Sequence, residues 1–92
     1  VLDPDHAIVV NNRASDKFTL LEVSGPNRPG ELYRITRALG ADGLAIHSAK
    51  ISSYGQRYVD VFYLRDGLGG KIESTARLAR LKSRVMESLS DG

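Results

Sequence analysis

Four short apolar runs, two stretches of helical apolar spacing, and the order in which they alternate predict an α+β fold. The order is β, then β-α-β-β-α. A ferredoxin-like β-α-β-β-α-β sandwich needs one more strand after its last helix, lying beside the first strand and antiparallel to it. The run at His6 to Val10 can fill that edge. The expected architecture is therefore a circularly permuted ferredoxin-like sandwich with its edge strand at the N-terminus. It has a four-stranded antiparallel sheet and two helices on one face.

Each element has its own signal. Ile8, Val9 and Val10 make a short strand, and the polar stretch Asn11 to Lys17 connects it to the next. Phe18 to Ser24 is rich in aromatic and branched residues, as a strand requires. Gly25 to Gly30 reads as a turn. A helix follows from Glu31 to Asp42, with Leu32, Ile35 and Leu39 on its apolar stripe and Gly40 and Gly43 at its end. Leu44 to Tyr54 is a strand whose apolar phase changes around His47-Ser48, which predicts a bulge. Gly55-Gln56 turns tightly into the strand Arg57 to Leu64, and Asp66 to Gly70 is a loop. The last helix, about Ile72 to Leu89, aligns Leu78, Leu81, Val85 and Leu89. In Arg57 to Leu64 both faces are apolar apart from Asp60, so a cover over the second face is expected, another copy or a sister domain.

The totals narrow the function classes. Ninety-two residues make a single domain, 1–92, with residues 1–5 as a linker, and the missing initiator Met suggests a piece of a longer chain. A net charge of +2 gives no reason to expect nucleic acid or an anionic membrane. With no cysteine there is no disulfide, thiolate metal site or Cys nucleophile, which suits a cytoplasmic setting. No apolar run nears the roughly 20 residues of a membrane span, and no signal peptide is visible. His47 and His6 are the only histidines, and no acidic cluster surrounds either, so no metal site is expected. No catalytic triad or phosphate loop is present, and no catalytic residue is assigned.

The run Asn27-Arg28-Pro29-Gly30-Glu31-Leu32 carries the functional signal. It passes from a strand through Pro-Gly into a helix. Pro29 fixes its own φ, and Gly30 lets a ligand approach the main chain closely. The helix-start amides beyond it are unsatisfied donors suited to a carboxylate. The same residues also suit a plain strand-to-helix turn. Ile46-His47-Ser48-Ala49 is a second candidate segment, small enough at Ser48 and Ala49 to leave room for a ligand. Asp60 is either a buried carboxylate or a residue at a strand edge or paired with a nearby base. Arg77, Arg80 and Arg84 share one helix face, either to meet an acidic partner or simply solvated.

Three blocks resemble the ACT domains, small amino-acid-binding regulatory modules of ferredoxin-like fold. They are Phe18 to Val23 with Asn27 to Tyr33, Gly43 to Ile51, and Tyr54 to Tyr63. The second and third are most similar to the terminal ACT domain of enzymes that add and remove uridylyl groups on the PII signal protein. One departure is Asn27, where a carboxylate is frequent; an amide still receives an ammonium, without charge assistance. The resemblance implies glutamine or a related amino acid as ligand, with amides near Gly30 and Glu31 on its carboxylate and Asn27 on its ammonium. Arg28 is a further candidate for the carboxylate. Ile46 to Ala49 would complete the pocket from a sister domain or homodimer mate. It also implies PII as a partner through the parent enzyme, with Mg and UTP used there and no cofactor here. Two other functions fit the fold: a ligand-free dimerisation module, and an RNA-binding domain using the aromatics of Arg57 to Phe62.

Overall fold

The computed structural model describes residues 5–90. The linker expected at residues 1–5 therefore lies, except for Asp5, outside the described residues. The elements are β1 (Ala7–Asn11), β2 (Thr19–Pro26), α1 (Glu31–Ala41), β3 (Ala45–Tyr54), β4 (Arg57–Arg65) and α2 (Thr75–Ser90). All neighbouring strands are antiparallel, in the order β1-β2-β4-β3. This is the ferredoxin-like arrangement, with β1 on the edge beside β2.

Strand alternation and register decide which residues meet the helices. Across β2 and β4 the inward pairs are Thr19–Leu64, Leu21–Phe62, Val23–Asp60 and Gly25–Tyr58, and all eight residues are buried. Ile8 of β1 joins Val23 on this face. Against them pack Ile35 and Leu39 of α1 and Leu81, Val85 and Leu89 of α2, each at 0–1% exposure. Removing apolar area of that order from water is the main favourable contribution to folding. The opposite face, with Leu20, Val59, Val61 and Tyr63, is only half-buried. The bulge expected at His47-Ser48 is present as a register shift between Ile46 and Ser48.

Two element ends differ from expectation by more than one residue, and so does the inner face of one helix. β2 continues through Gly25 and Pro26, which pair with Tyr58 and Arg57, so the first residues expected in the turn belong to the strand. Gly25 is required there by packing: a Cβ would sit 2.4 Å from Cδ2 of the His6 ring. α2 starts at Thr75 and not at Ile72, because the Ser74 hydroxyl accepts from the Arg77 amide as an N-cap. Ile72 is instead held in a strap, its amide donating to the Thr19 hydroxyl at 2.9 Å and its side chain buried. On α1 the inner stripe is Glu31, Ile35 and Leu39, while Leu32, expected on it, is 43% exposed.

Gly25→Ala is expected to cost about 1–3 kcal/mol by overpacking against His6. Urea unfolding should show a lower midpoint with an unchanged slope, and Gly25→Ala combined with His6→Ala should lose less than the sum of the single changes.

Candidate functional site

Glu31, the first residue of α1, organises the surroundings of the turn. Its carboxylate is buried, a position that costs several kcal/mol unless partners replace water. It has two, making three contacts: the Tyr58 hydroxyl donates to Oε1 at 2.7 Å, and His6 Nε2 lies 2.9 Å from Oε1 and 3.2 Å from Oε2. A carboxylate only accepts, so His6 Nε2 carries the hydrogen. The start of α1 adds a favourable dipole. Burial, the bond to Glu31 and the nearby Glu31 and Asp60 carboxylates push the Tyr58 hydroxyl far above its ordinary pKa, so it stays a donor.

The turn lies just outside this cluster. Gly30 is the N-cap residue of α1 with φ 84° and ψ −4°, a left-handed conformation that disfavours a Cβ, and nothing lies within 4 Å of where one would be. No side chain caps the helix start. Glu31, which often fills such a role from the first turn, is turned inward. The amides beyond Gly30 therefore have no side-chain acceptor of their own. Asn27 ties the turn to the β3–β4 hairpin: its amide donates to the Gln56 carbonyl at 2.7 Å, and its side-chain Nδ2 lies 3.5 Å from Ser53 Oγ. Arg28 is exposed and lies 3.5 Å from the Asp5 carboxylate, while Arg57 donates to the Asp5 carbonyl at 2.9 Å. The segment entering β1 is thus bound to the turn at both Asp5 and His6.

The second candidate segment is elsewhere. Ile46 pairs with Leu64 and Ser48 with Tyr63, at the end of β3 far from Asn27. Five residues separate Ser48 from Ser53, roughly 17 Å along a strand. His47 stacks on Phe18, with ring centroids 4.4 Å apart, and Tyr63 meets Phe18 edge-on. Asn27 to Leu32 therefore form one cluster within the chain, and Ile46 to Ala49 are not part of it. Every residue of β3 except Ser52 is exposed, and its outer edge has no strand partner among the described residues.

Two other expectations are settled by position. Asp60 was expected at an edge or beside a base, but it sits on central strand β4, 3% exposed, in no ion pair among the described residues. Register forces it inward between Tyr58 and Phe62. A backbone hydrogen bond from Ser52 reaches it, one carboxylate oxygen has no partner, and burial raises its pKa. Arg84 bonds Asp42 at the end of α1 at 3.1 Å, so that arginine joins the two helices. Among the described residues no three His, Cys, Asp or Glu are grouped to hold a metal, and no helix is long and apolar enough to cross a membrane.

Fold and turn together define a ferredoxin-like α+β domain whose uncapped helix start faces outward beside a buried carboxylate clamp. The chain is also similar, over most or all of its length, to bifunctional uridylyltransferase/uridylyl-removing enzymes. It is 51% identical to that of Gluconobacter oxydans over 83 residues, which is 90% of this chain and 9% of the relative. It is 44% identical to that of Azospirillum brasilense over 84 residues (91% and 9%) and 40% identical to that of Rhodopseudomonas palustris over 92 residues (100% and 10%). The chain thus spans about a tenth of the length of these relatives and is homologous to one segment of the bifunctional uridylyltransferase/uridylyl-removing enzymes. No protein-family model matches it, and no solved structure matches it.

Burial raises the Asp60 pKa, so the neutral acid is the form the fold prefers. Its cost is absent below the ordinary value of 3.8 and grows as pH rises through the folded value. Asp60→Asn should therefore be more stable than the parent chain at pH 7, and in urea titrations the gain should shrink as pH falls from the raised folded value towards 3.8 and be absent below it.

Proposed function

We propose that this chain is an ACT-type regulatory domain that binds glutamine or a related amino acid, and so biases the addition and removal of uridylyl groups on PII by a larger enzyme. The observation that carries the reading is the start of α1 beyond Gly30, which no side chain caps, three residues after Asn27, whose side chain is exposed and lies 3.5 Å from Ser53 Oγ. A ligand carboxylate would take the helix-start amides, and its ammonium would face the Asn27 carboxamide oxygen. The length and identity of the similarity to the uridylyl-transferring enzymes support the regulatory setting. Mg and UTP chemistry would belong to other segments of such an enzyme.

The separation of the two candidate segments supports a role for a neighbour. β3 has a free edge, and antiparallel pairing of two such strands reverses their ends. Ile46 to Ala49 of a second copy or sister domain would then lie near Ser53 and Asn27 of the first. A ligand held across that seam would favour one packing of the two domains over another by its difference in affinity for them. The RNA reading loses its basis, because Tyr58 and Phe62 are buried under the helices and offer no stacking surface.

Isothermal titration tests the reading. Glutamine should give saturable heat with the chain, and Asn27→Ala should weaken binding by about tenfold, the loss of one or two hydrogen bonds. Gly30→Val should abolish it while circular dichroism stays unchanged. Heat from another amino acid and none from glutamine would overturn the ligand assignment. No heat from any amino acid would leave the ligand-free dimerisation module.

A further inference from the structure

We propose that the outer sheet face is a self-complementary surface on which a second copy of this chain stacks face to face, along β4. This surface is distinct from the amino-acid turn and from the β3 edge. Register arranges its side chains in rows across β1, β2, β4 and β3. One row reads Val9, Glu22, Val61, Lys50; the next Asn11, Leu20, Tyr63, Ser48; the one on the other side Ala7, Ser24, Val59, Ser52. The β4 column is thus Val59, Val61 and Tyr63, an apolar strip that is half-buried in one copy. Glu22 and Lys50 flank it on opposite sides, both exposed and in no ion pair among the described residues. A shallow depression of about 300 Å³ lies between them, walled by Val9, Leu20, Val61 and Tyr63.

The charges select one way for two such faces to meet. Take a two-fold axis parallel to β4, midway between two stacked sheets. It sets β4 on β4 and β2 on β3, so Val61 covers Val61 while each Glu22 meets the other copy's Lys50. In the adjoining rows Tyr63 covers Tyr63, and Ser24 meets Ser52. An axis across the strands through the same row sets each strand on itself, with Glu22 on Glu22 and Lys50 on Lys50. Moving the parallel axis to between β2 and β4 sets Glu22 on Val61 and Lys50 on Val9, which buries four charges without partners. Of these three, the first alone pairs Glu22 with Lys50 around the apolar centre; Arg57 and Arg65, at the two ends of the β4 column, are held to the Asp5 carbonyl and over the Phe18 ring, at the rim of the contact. Sheets stack about 10 Å apart with strands within roughly 30° of alignment, a gap that Glu and Lys side chains bridge together. The apolar strip supplies the attraction and the two ion pairs supply register and choice of partner. Reciprocity of this kind is what a two-fold homodimer requires and what a foreign partner has no reason to match.

Sedimentation equilibrium of the 92-residue chain tests the proposal, with Glu22→Lys, Lys50→Glu, the double exchange, and Ile51→Lys on edge strand β3, whose side chain is exposed on the face away from the proposed contact. The chain should dimerise. Each single reversal should weaken the dimer by about tenfold or more, and the double exchange should return the Kd to within about threefold of the parent value. All three positions lie at the surface, and equal thermal midpoints for the charge variants would show that the fold is kept. A monomer at all concentrations up to about 1 mM would overturn the proposal. So would a double exchange as weak as either single reversal. A dimer indifferent to both charges but lost in Ile51→Lys would place the contact on the β3 edge and overturn it too.

Discussion

A carboxylate removed from water at the first residue of α1 governs the arrangement around it. Left without partners, the buried Glu31 carboxylate would destabilise the fold by several kcal/mol. The Tyr58 hydroxyl, His6 Nε2 and the helix dipole compensate it from three directions. These contacts join the segment before β1, the start of α1 and the strand β4, elements distant in sequence. They also commit the Glu31 side chain inward. A helix start whose own acidic residue faces the core, and whose N-cap is a glycine, has no side chain left to satisfy its amides. Interior stability and an open surface site thus have the same origin.

Asp60 makes the contrast. It is as deeply placed as Glu31, on the same face of the sheet, but one of its oxygens has no partner. Glu31 holds three elements together, whereas Asp60 is a standing cost that grows with pH. The β3 strand is unlike the rest of the sheet in another way. The helices cover β1, β2 and β4 but leave β3 exposed on both faces and open at its edge. Such an edge pairs readily with another chain. The two candidate segments lie toward opposite ends of this strand, Ile46 to Ala49 on it and Asn27 beside Ser53.

Much of the fold was legible because it depends on short-range rules. The 3.6-residue period found α1 and α2, the period of two found the strands, and the phase break at His47-Ser48 marked the bulge. Strand order followed from the need to place β1 on an edge. The missed features all depended on tertiary partners. Leu32 and Glu31 are equally compatible with a stripe through Ile35 and Leu39, and only the presence of His6 and Tyr58 lets the acid take the inner place. The spacing Glu31-Ile35-Leu39 was visible, but a charged residue is rarely assigned to a core. Gly25 read as a turn residue because its true reason, the ring of His6 lying on it, comes from a segment nineteen residues away. Asp60 read as an edge or paired residue because nothing local shows that β4 is central.

The main-chain amides at the start of α1, which no side chain caps, are the donors proposed to receive a ligand carboxylate. Amide NMR spectra recorded while glutamine is added observe them directly. In that role they give the largest shifts, on Glu31, Leu32 and Tyr33, with Asn27 following and the Tyr58 and Phe62 amides of β4 nearly still. Shifts confined to other surfaces, with the amides of 31–33 unmoved at saturation, would contradict it.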